Sequence, residues 1–339
     1  VAVWYLLKMT GFQDRFGRLH DDLRVSVTDR CNLRCSYCMP EDPTWFPRSQ
    51  ILDYEEIHRL VRILAGRGVR KVRITGGEPL VRKDLASFIR LIATVDGIED
   101  LSLTTNGVLL EGAARELADA GLRRVNVSLD TLKSDRFRRL TRREDLGKVL
   151  AGLRAAVRAG LTPVKINTVL LRGINDDEVE SFVATAREEG WQVRFIEFMP
   201  LENGGTWDIS RVVTGKEVRK RIEARWPLIQ DETTDRSAPA TRFRFVDGKG
   251  KVGFINSISD PFCGDCSRLR LTADGKFRAC LYDTREVDLK GPLRSGAGDA
   301  AILGIVEAAV MEKGRGGALE ILETKEALRL TRTMHQIGG

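Results

Sequence analysis

The sequence predicts an α/β protein of six consecutive strand–helix units with parallel strands, followed by a C-terminal antiparallel and helical extension. Three observations predict it. β-rich runs alternate with amphipathic helical stretches as far as Met199, the pattern of parallel strands joined by helical crossovers. Polar residues gather at the C-terminal ends of the proposed strands. The alternation stops near Glu202, where Asn203-Gly204-Gly205 reads as a loop.

In order, strands are expected at Leu23–Asp29, Val69–Thr75, Asp100–Thr105, Arg123–Asp130, Pro163–Leu170 and Trp191–Met199. Helices follow the first five, at Tyr54–Arg67, Leu85–Thr94, Gly112–Ala120, Leu146–Ala159 and Asp177–Glu189. In the last of these, Val179, Phe182, Val183 and Ala186 repeat at i, i+3, i+4 and i+7 and make one apolar stripe. Asn175 with Glu178 three residues on resembles a reciprocal N-terminal cap, and Gly190 ends the helix. A helix at Gly215–Arg225 comes next. Between Thr241 and Leu281, turns at Asp247-Gly248-Lys249-Gly250 and Asp274-Gly275 imply short strands in an antiparallel layer. A helical region near Ala300–Val310 closes the chain. The resulting division is an N-terminal arm at 1–13, a strand–helix body at 14–202 and a C-terminal region at 203–339.

Composition narrows the class. With 339 residues, 42% hydrophobic and 30% charged, the chain is that of a globular protein with a sizeable core. Its apolar runs are far shorter than the ~18 residues that span a bilayer, so no membrane partner is expected. The apolar start Val1–Leu7 is interrupted by Lys8 and has no basic flank before it, so it reads as an arm rather than a signal peptide, and a cytoplasmic location is expected. Fifty-five Lys and Arg against 48 Asp and Glu give +7, which suits an anionic partner such as nucleic acid or a phosphorylated small molecule. The runs Arg136-Phe137-Arg138-Arg139 and Arg142-Arg143 read as solvated surface.

The six cysteines form two tight triads, Cys31-x3-Cys35-x2-Cys38 and Cys263-x2-Cys266-x13-Cys280. Cys31–Cys38 follows strand one, Gly76-Gly77-Glu78-Pro79 strand two, Thr104-Thr105-Asn106-Gly107 strand three; Ser128 and Asp130 close strand four, and Met199-Pro200 strand six. In a β/α barrel that face builds the active site. Period-2 parity puts Asn126, Ser128 and Asp130 on one side of their strand, and likewise groups Arg73 with Thr75 and Lys165 with Asn167. A triad could be a disulfide remnant, half a zinc site or a cluster site. Reducing compartments disfavour disulfides, and structural zinc wants four ligands, while His20, His58 and His335 lie at no ligand spacing from either triad. A cubane with three thiolates and one open iron fits two triads; spacing favours it and leaves zinc open.

Cys31-Asn32-Leu33-Arg34-Cys35-Ser36-Tyr37-Cys38 resembles the CxxxCxxC signature of the radical S-adenosylmethionine superfamily, including the aromatic before the last cysteine, and Gly76-Gly77-Glu78-Pro79 resembles that superfamily's segment for the methionyl amino group. The second triad, Arg268-Leu269-Arg270 just after Cys266 and the Gly338-Gly339 terminus are similar to its GTP-cyclising branch in molybdenum-cofactor biosynthesis. The likeness implies an incomplete, TIM-like (β/α)6 barrel, two [4Fe-4S] clusters and S-adenosylmethionine. One electron then yields a 5′-deoxyadenosyl radical that takes hydrogen from ribose C3′ of GTP, and the carbon radical attacks guanine C8. It further implies a homodimer, a reductant or electron-donor protein, and a cyclic pyranopterin monophosphate synthase acting downstream, with no nucleic acid partner.

Residue by residue, the likeness implies that Cys31, Cys35 and Cys38 hold the catalytic cluster and that Cys263, Cys266 and Cys280 hold the second, whose open iron meets guanine. Tyr37, Gly77, Ser128 and Met199 would contact S-adenosylmethionine. Arg24, Arg73, Thr104, Lys165, Arg268, Leu269 and Arg270 would contact GTP, and Gly338 and Gly339 would enter the catalytic centre. A peptide-modifying enzyme with auxiliary clusters and, from another class, a zinc-stabilised RNA-binding protein are the rival readings.

Overall fold

The computed structural model describes residues 11–201, 207–232, 237–324 and 332–338. Residues 1–10, the Asn203-Gly204-Gly205 loop and Gly339 lie outside the described residues. A two-stranded ribbon, Phe12–Gln13 with Leu19–His20, precedes the body.

The six predicted units are present: β1 (Asp22–Ser26), α1 (Tyr54–Ala65), β2 (Lys71–Thr75), α2 (Leu85–Ala93), β3 (Asp100–Thr105), α3 (Leu110–Asp119), β4 (Arg124–Ser128), α4 (Ser134–Thr141), α5 (Leu146–Arg158), β5 (Lys165–Leu170), α6 (Val179–Glu189) and β6 (Gln192–Glu197). Neighbours in sequence pair in parallel from β1 to β6. Leu23, Val25, Val72, Ile74, Leu101, Leu103, Val125 and Val127 are buried against the helices, each burial contributing about 1.5–3 kcal/mol. The alternate residues of the same strands point to the barrel interior. Strand ends are trimmed relative to the sequence reading; β1, for instance, stops at Ser26 rather than Asp29.

Helix α1 begins with a reciprocal cap: the Asp53 carboxylate accepts from Glu56 N at 2.7 Å, and Glu56 accepts from Asp53 N at 2.8 Å. The cap expected from Asn175 and Glu178 does not form. Asn175 Oδ1 accepts from Leu171 N at 2.8 Å and its Nδ2 donates to Asp130 O at 2.7 Å. Glu178 accepts from Thr131 Oγ1 at 2.6 Å, from Leu132 N at 2.8 Å and from Arg136. Glu178 reaches away from its own helix to satisfy donors of the β4–α4 loop, and Asn175 bridges the Asp130 carbonyl of that loop to Leu171 N. Helix α4 itself went unread in the sequence, since only Phe137 and Leu140 mark its buried face. Arg138, Arg139 and Arg143 are exposed as expected, whereas Arg136 is mostly covered by its pairing with Asp177 and Glu178.

The C-terminal region holds α7 (Gly215–Glu223), β7 (Leu228–Gln230), β8 (Thr241–Phe245), β9 (Lys251–Ile255), β10 (Arg268–Leu271), β11 (Lys276–Arg278), β12 (Val287–Asp288), α8 (Asp299–Met311), α9 (Gly317–Thr324) and α10 (Met334–Ile337). Both predicted turns make antiparallel hairpins, β8–β9 and β10–β11. They do not form a separate layer. β9 adds in parallel to β6, and β10 adds in parallel to β1. The result is one twelve-stranded sheet with edge strands β12 and β7, in the order β12-β11-β10-β1-β2-β3-β4-β5-β6-β9-β8-β7. Turn chemistry specifies a hairpin locally; which edge the hairpin extends depends on side chains distant in sequence. The chain from β9 to β10 therefore crosses from beside β6 to beside β1, and it carries Cys263 and Cys266. Among the described residues, no helix is long and apolar enough to cross a membrane.

Candidate active site

One cavity in the barrel brings the two triads together. Cys31, Cys35 and Cys38 line it on one side, and Cys263, Cys266 and Cys280 on the other. Gly77, Ser128, Met199 and Tyr37 border the first triad's side, and Arg24, Arg73, Thr104, Arg268 and Arg270 also line the cavity. Lys165 is buried on the same face of β5 as the cavity residues Asn167 and Val169, one step deeper. Leu269 is not brought there. Its side chain is fully buried in the hydrophobic core, on the face of β10 opposite Arg268 and Arg270.

The first triad is shaped by backbone. Gly77 N donates to Thr28 O and Glu78 N to Arg30 O, both at 2.7 Å. A Cβ on Gly77 would come within 2.4 Å of the Asp29 and Arg30 carbonyl oxygens, so only glycine lets this loop nest under the cysteine loop. Glu78 ties the loops after β2 and β3 by accepting from Leu80 N at 3.0 Å, Thr105 Oγ1 at 2.7 Å and Asn106 N at 2.6 Å; burial pushes its carboxyl up to about 7. Tyr37 OH donates to Asp130, which also accepts from Val169 N at 2.8 Å. Burial lifts the thiols of Cys31 to about 11 and Cys38 to about 12, with the neighbouring cysteine adding to the effect at Cys38, and raises Cys35 well above its ordinary value.

The second triad is cationic. Arg268 Nη2 donates to Cys266 Sγ at 3.2 Å and Lys313 Nζ at 3.7 Å. Burial alone would raise Cys266, but Arg268 and Lys313 bring it down to about 6. Glu197, at the end of β6, fixes the crossing segment by accepting from Ile258 N at 2.8 Å and Ser259 N at 2.7 Å, besides Gly215 N at 3.0 Å.

Between the triads lies a row of cations. Register places Arg270, Arg24 and Arg73 directly side by side across β10, β1 and β2. Burial and then Arg270 and Arg73 push Arg24 well below its ordinary value, and its Nε has no partner. Burial with neighbouring arginines takes Lys165 down to about 6, Arg194 to about 9 and Arg270 to about 10. A like-charged row with Arg270 buried and Arg24 and Arg73 half-buried is costly in itself, and an anion among its members converts that cost into attraction. Arg194 was missed in the sequence. Its signal was available in parity, because it alternates with cavity-lining Ile196 and sits opposite Asn167. Glu197 had no such signal.

The C-terminal tail reaches this row. Arg270 Nη1 donates to Gly338 O at 2.8 Å, and the His335 main-chain N–H donates to the Cys38 sulfur. Gly338 has φ +84°, and a Cβ there would lie 2.9 Å from Ser26 Cβ.

Two family profiles match the chain, the radical SAM superfamily over residues 25–186 and Molybdenum Cofactor Synthesis C over 191–318. The chain is 48% identical over 330 residues to a GTP 3′,8-cyclase of Moorella thermoacetica, covering 96% of this chain and 100% of that one. The chain belongs to the GTP 3′,8-cyclase family of radical SAM enzymes. A second member, from Pelotomaculum thermopropionicum, is 47% identical over the same shares of the two chains. Streptococcus suis SuiB bound to S-adenosylmethionine shares the fold at TM-score 0.59 and 16% identity, over 89% of this chain and 70% of that one.

The cofactors that go with the family are S-adenosylmethionine and [4Fe-4S] clusters, and the residues present fit them. All six cysteines are free and only part-buried, and each triad opens on the cavity. Among the described residues no three His, Cys, Asp or Glu side chains converge where a single metal ion could be held. Three thiolates per site match the ligand count of a cubane with one open iron, one short of the four that structural zinc takes.

Proposed function

We propose that the chain cyclises GTP to (8S)-3′,8-cyclo-7,8-dihydroguanosine 5′-triphosphate, the first step of molybdenum-cofactor biosynthesis. The observation that carries this reading is the Arg270–Arg24–Arg73 row, which lines the same cavity as the two cysteine triads. A triphosphate is the anion that such a row accommodates, because Arg binds phosphate through a planar, bidentate fork.

In this reading Cys31, Cys35 and Cys38 hold the first cluster, and Cys263, Cys266 and Cys280 hold the second. The first triad's cluster, when loaded and given one electron by a reductant, would supply the reductive cleavage of S-adenosylmethionine to methionine and the radical that abstracts hydrogen from the ribose. The chain's own part is orientation. Tyr37, Gly77, Ser128 and Met199 seat S-adenosylmethionine; Arg24, Arg73, Thr104, Lys165, Arg268, Arg270 and, from the structure, Arg194 seat GTP; and Gly338, with Gly339 outside the described residues, is assigned to the catalytic centre. Leu269 serves from the core, by setting β10 so that its flanking arginines face inward. A one-electron reductant, a homodimer, a cytoplasmic setting and a cyclic pyranopterin monophosphate synthase as consumer of the product belong to the same reading.

Anaerobic incubation with GTP, S-adenosylmethionine and dithionite tests it. Equal amounts of 5′-deoxyadenosine and cyclised nucleotide are expected; 5′-deoxyadenosine without a cyclised nucleotide would refute GTP as substrate.

A further inference from the structure

We propose that Lys313 is the counter-cation of the second cysteine site, a positioning residue that balances the Cys266 thiolate and so sets how readily the cluster held there takes an electron. The inference rests on the two-cluster reading above.

Lys313 lies just beyond α8 and is 1% exposed. An ammonium has three N–H donors and no acceptor. Each finds one partner: Arg268 O at 3.1 Å, His20 Nδ1 at 3.3 Å and Cys266 Sγ at 3.7 Å. Only the sulfur can carry negative charge. The nearby carboxylate of Asp14 is already engaged, accepting from Arg18 Nε at 2.6 Å and facing His20 Nε2 at 3.0 Å. A carboxylate accepts, so His20 carries its proton on Nε2, which leaves Nδ1 to accept from Lys313.

Arg18 spends its remaining donors on the same site, reaching Cys263 O at 2.9 Å, Arg315 O at 2.7 Å and Gly314 O at 2.6 Å. Asp14, Arg18, His20 and Lys313 are all buried. Asp14 offsets Arg18, which leaves the charges of Lys313 and Arg268 facing the Cys266 sulfur, the anionic partner to which both donate. Gly316 packs so closely on Cys263 that a Cβ would lie 2.5 Å from its Sγ, so the segment 313–316 wraps the second triad. At the first triad the described donors to sulfur are neutral, Leu33 N at 3.4 Å and Asn106 Nδ2 at 3.7 Å to Cys31 and the His335 main chain to Cys38, while Arg34 donates to the Cys31 carbonyl at 2.7 Å. Hydrogen bonds and charge at the sulfurs are what a protein uses to tune a cluster's potential.

The test compares wild type, Lys313→Gln and Lys313→Arg, each reconstituted anaerobically, by iron content and EPR-monitored redox titration. In Lys313→Gln the second cluster should lose at least tenfold in electron affinity, about 59 mV for a one-electron couple, with the first cluster unmoved and Lys313→Arg restoring most of the shift. Loss of half the iron in Lys313→Gln, regained in Lys313→Arg, would support the same role. An unchanged second potential at full iron loading, or equal iron loss in both variants, overturns it. Wild type supplies an arm that needs no variant to fold: with 15Nζ-labelled lysine, pulsed EPR of the reduced second cluster should show a 15N coupling, and its absence in a fully loaded protein overturns the inference. Wild type that takes up only half the iron of two cubanes would instead refute the two-cluster reading.

Discussion

The two cysteine triads face one cavity yet are built by opposite means. The first lies within eight residues after β1 and is held by backbone, with Gly77 nested beneath it and its thiols pushed up by burial. The second is assembled from a segment crossing from beside β6 to beside β1 and from a hairpin, and arginine and lysine pull its Cys266 down to about 6. A site that must bind a zwitterionic cofactor needs shape. A site beside a polyanionic substrate gains from positive charge.

The largest effect should come from breaking each triad. Cys38→Ala should abolish reductive cleavage of S-adenosylmethionine, whereas Cys280→Ala should retain part of it and form no cyclised nucleotide. Quantifying 5′-deoxyadenosine and product decides this, and equal loss of both activities in both folded variants would contradict separate roles.

Next is the cation row. Losing one charged hydrogen bond costs about 1.5–3 kcal/mol, so Arg24→Met should weaken GTP roughly tenfold or more and leave guanosine nearly unchanged by calorimetry. Removing one of these half-buried like charges should also raise the melting temperature of the ligand-free protein. Arg24 is a cleaner probe than Arg268 or Arg270, since those also touch Cys266 and Gly338.

Gly338→Ala tests the tail. A side chain at φ +84° costs about 1–3 kcal/mol, so cyclisation per 5′-deoxyadenosine should fall by up to about tenfold while iron content holds. Full coupling in the variant would make the tail a bystander.

The smallest effect is a proton. Lys165, brought to about 6, is neutral at pH 8 in the free protein. A bound triphosphate favours its charged form and raises that value, so binding at pH 8 should take up close to one proton. Calorimetry in buffers of different ionisation enthalpy measures the uptake, and Lys165→Met should remove it.

What was legible in the sequence follows the same division. The first triad, Gly77, Ser128 and the six strands could be read because each depends on short spacing or on period-2 parity. Arg194 obeys that parity and was readable in principle. Glu197, Arg18, His20 and Lys313 were not, because the partners that give them a role come from segments distant in sequence; Asp14 pairs locally with Arg18 and His20, but nothing in that spacing points to the second triad. The failed Asn175–Glu178 cap has the same cause, a stronger claim from a distant loop.

The division of labour between the triads is tested most directly by EPR of the reduced protein, wild type against a Cys263→Ala/Cys266→Ala/Cys280→Ala variant, with each ligand added in turn. S-adenosylmethionine should alter the first cluster's signal in both proteins. GTP should alter a signal in wild type alone; a GTP-induced change in the variant, with no second triad present, would contradict the account.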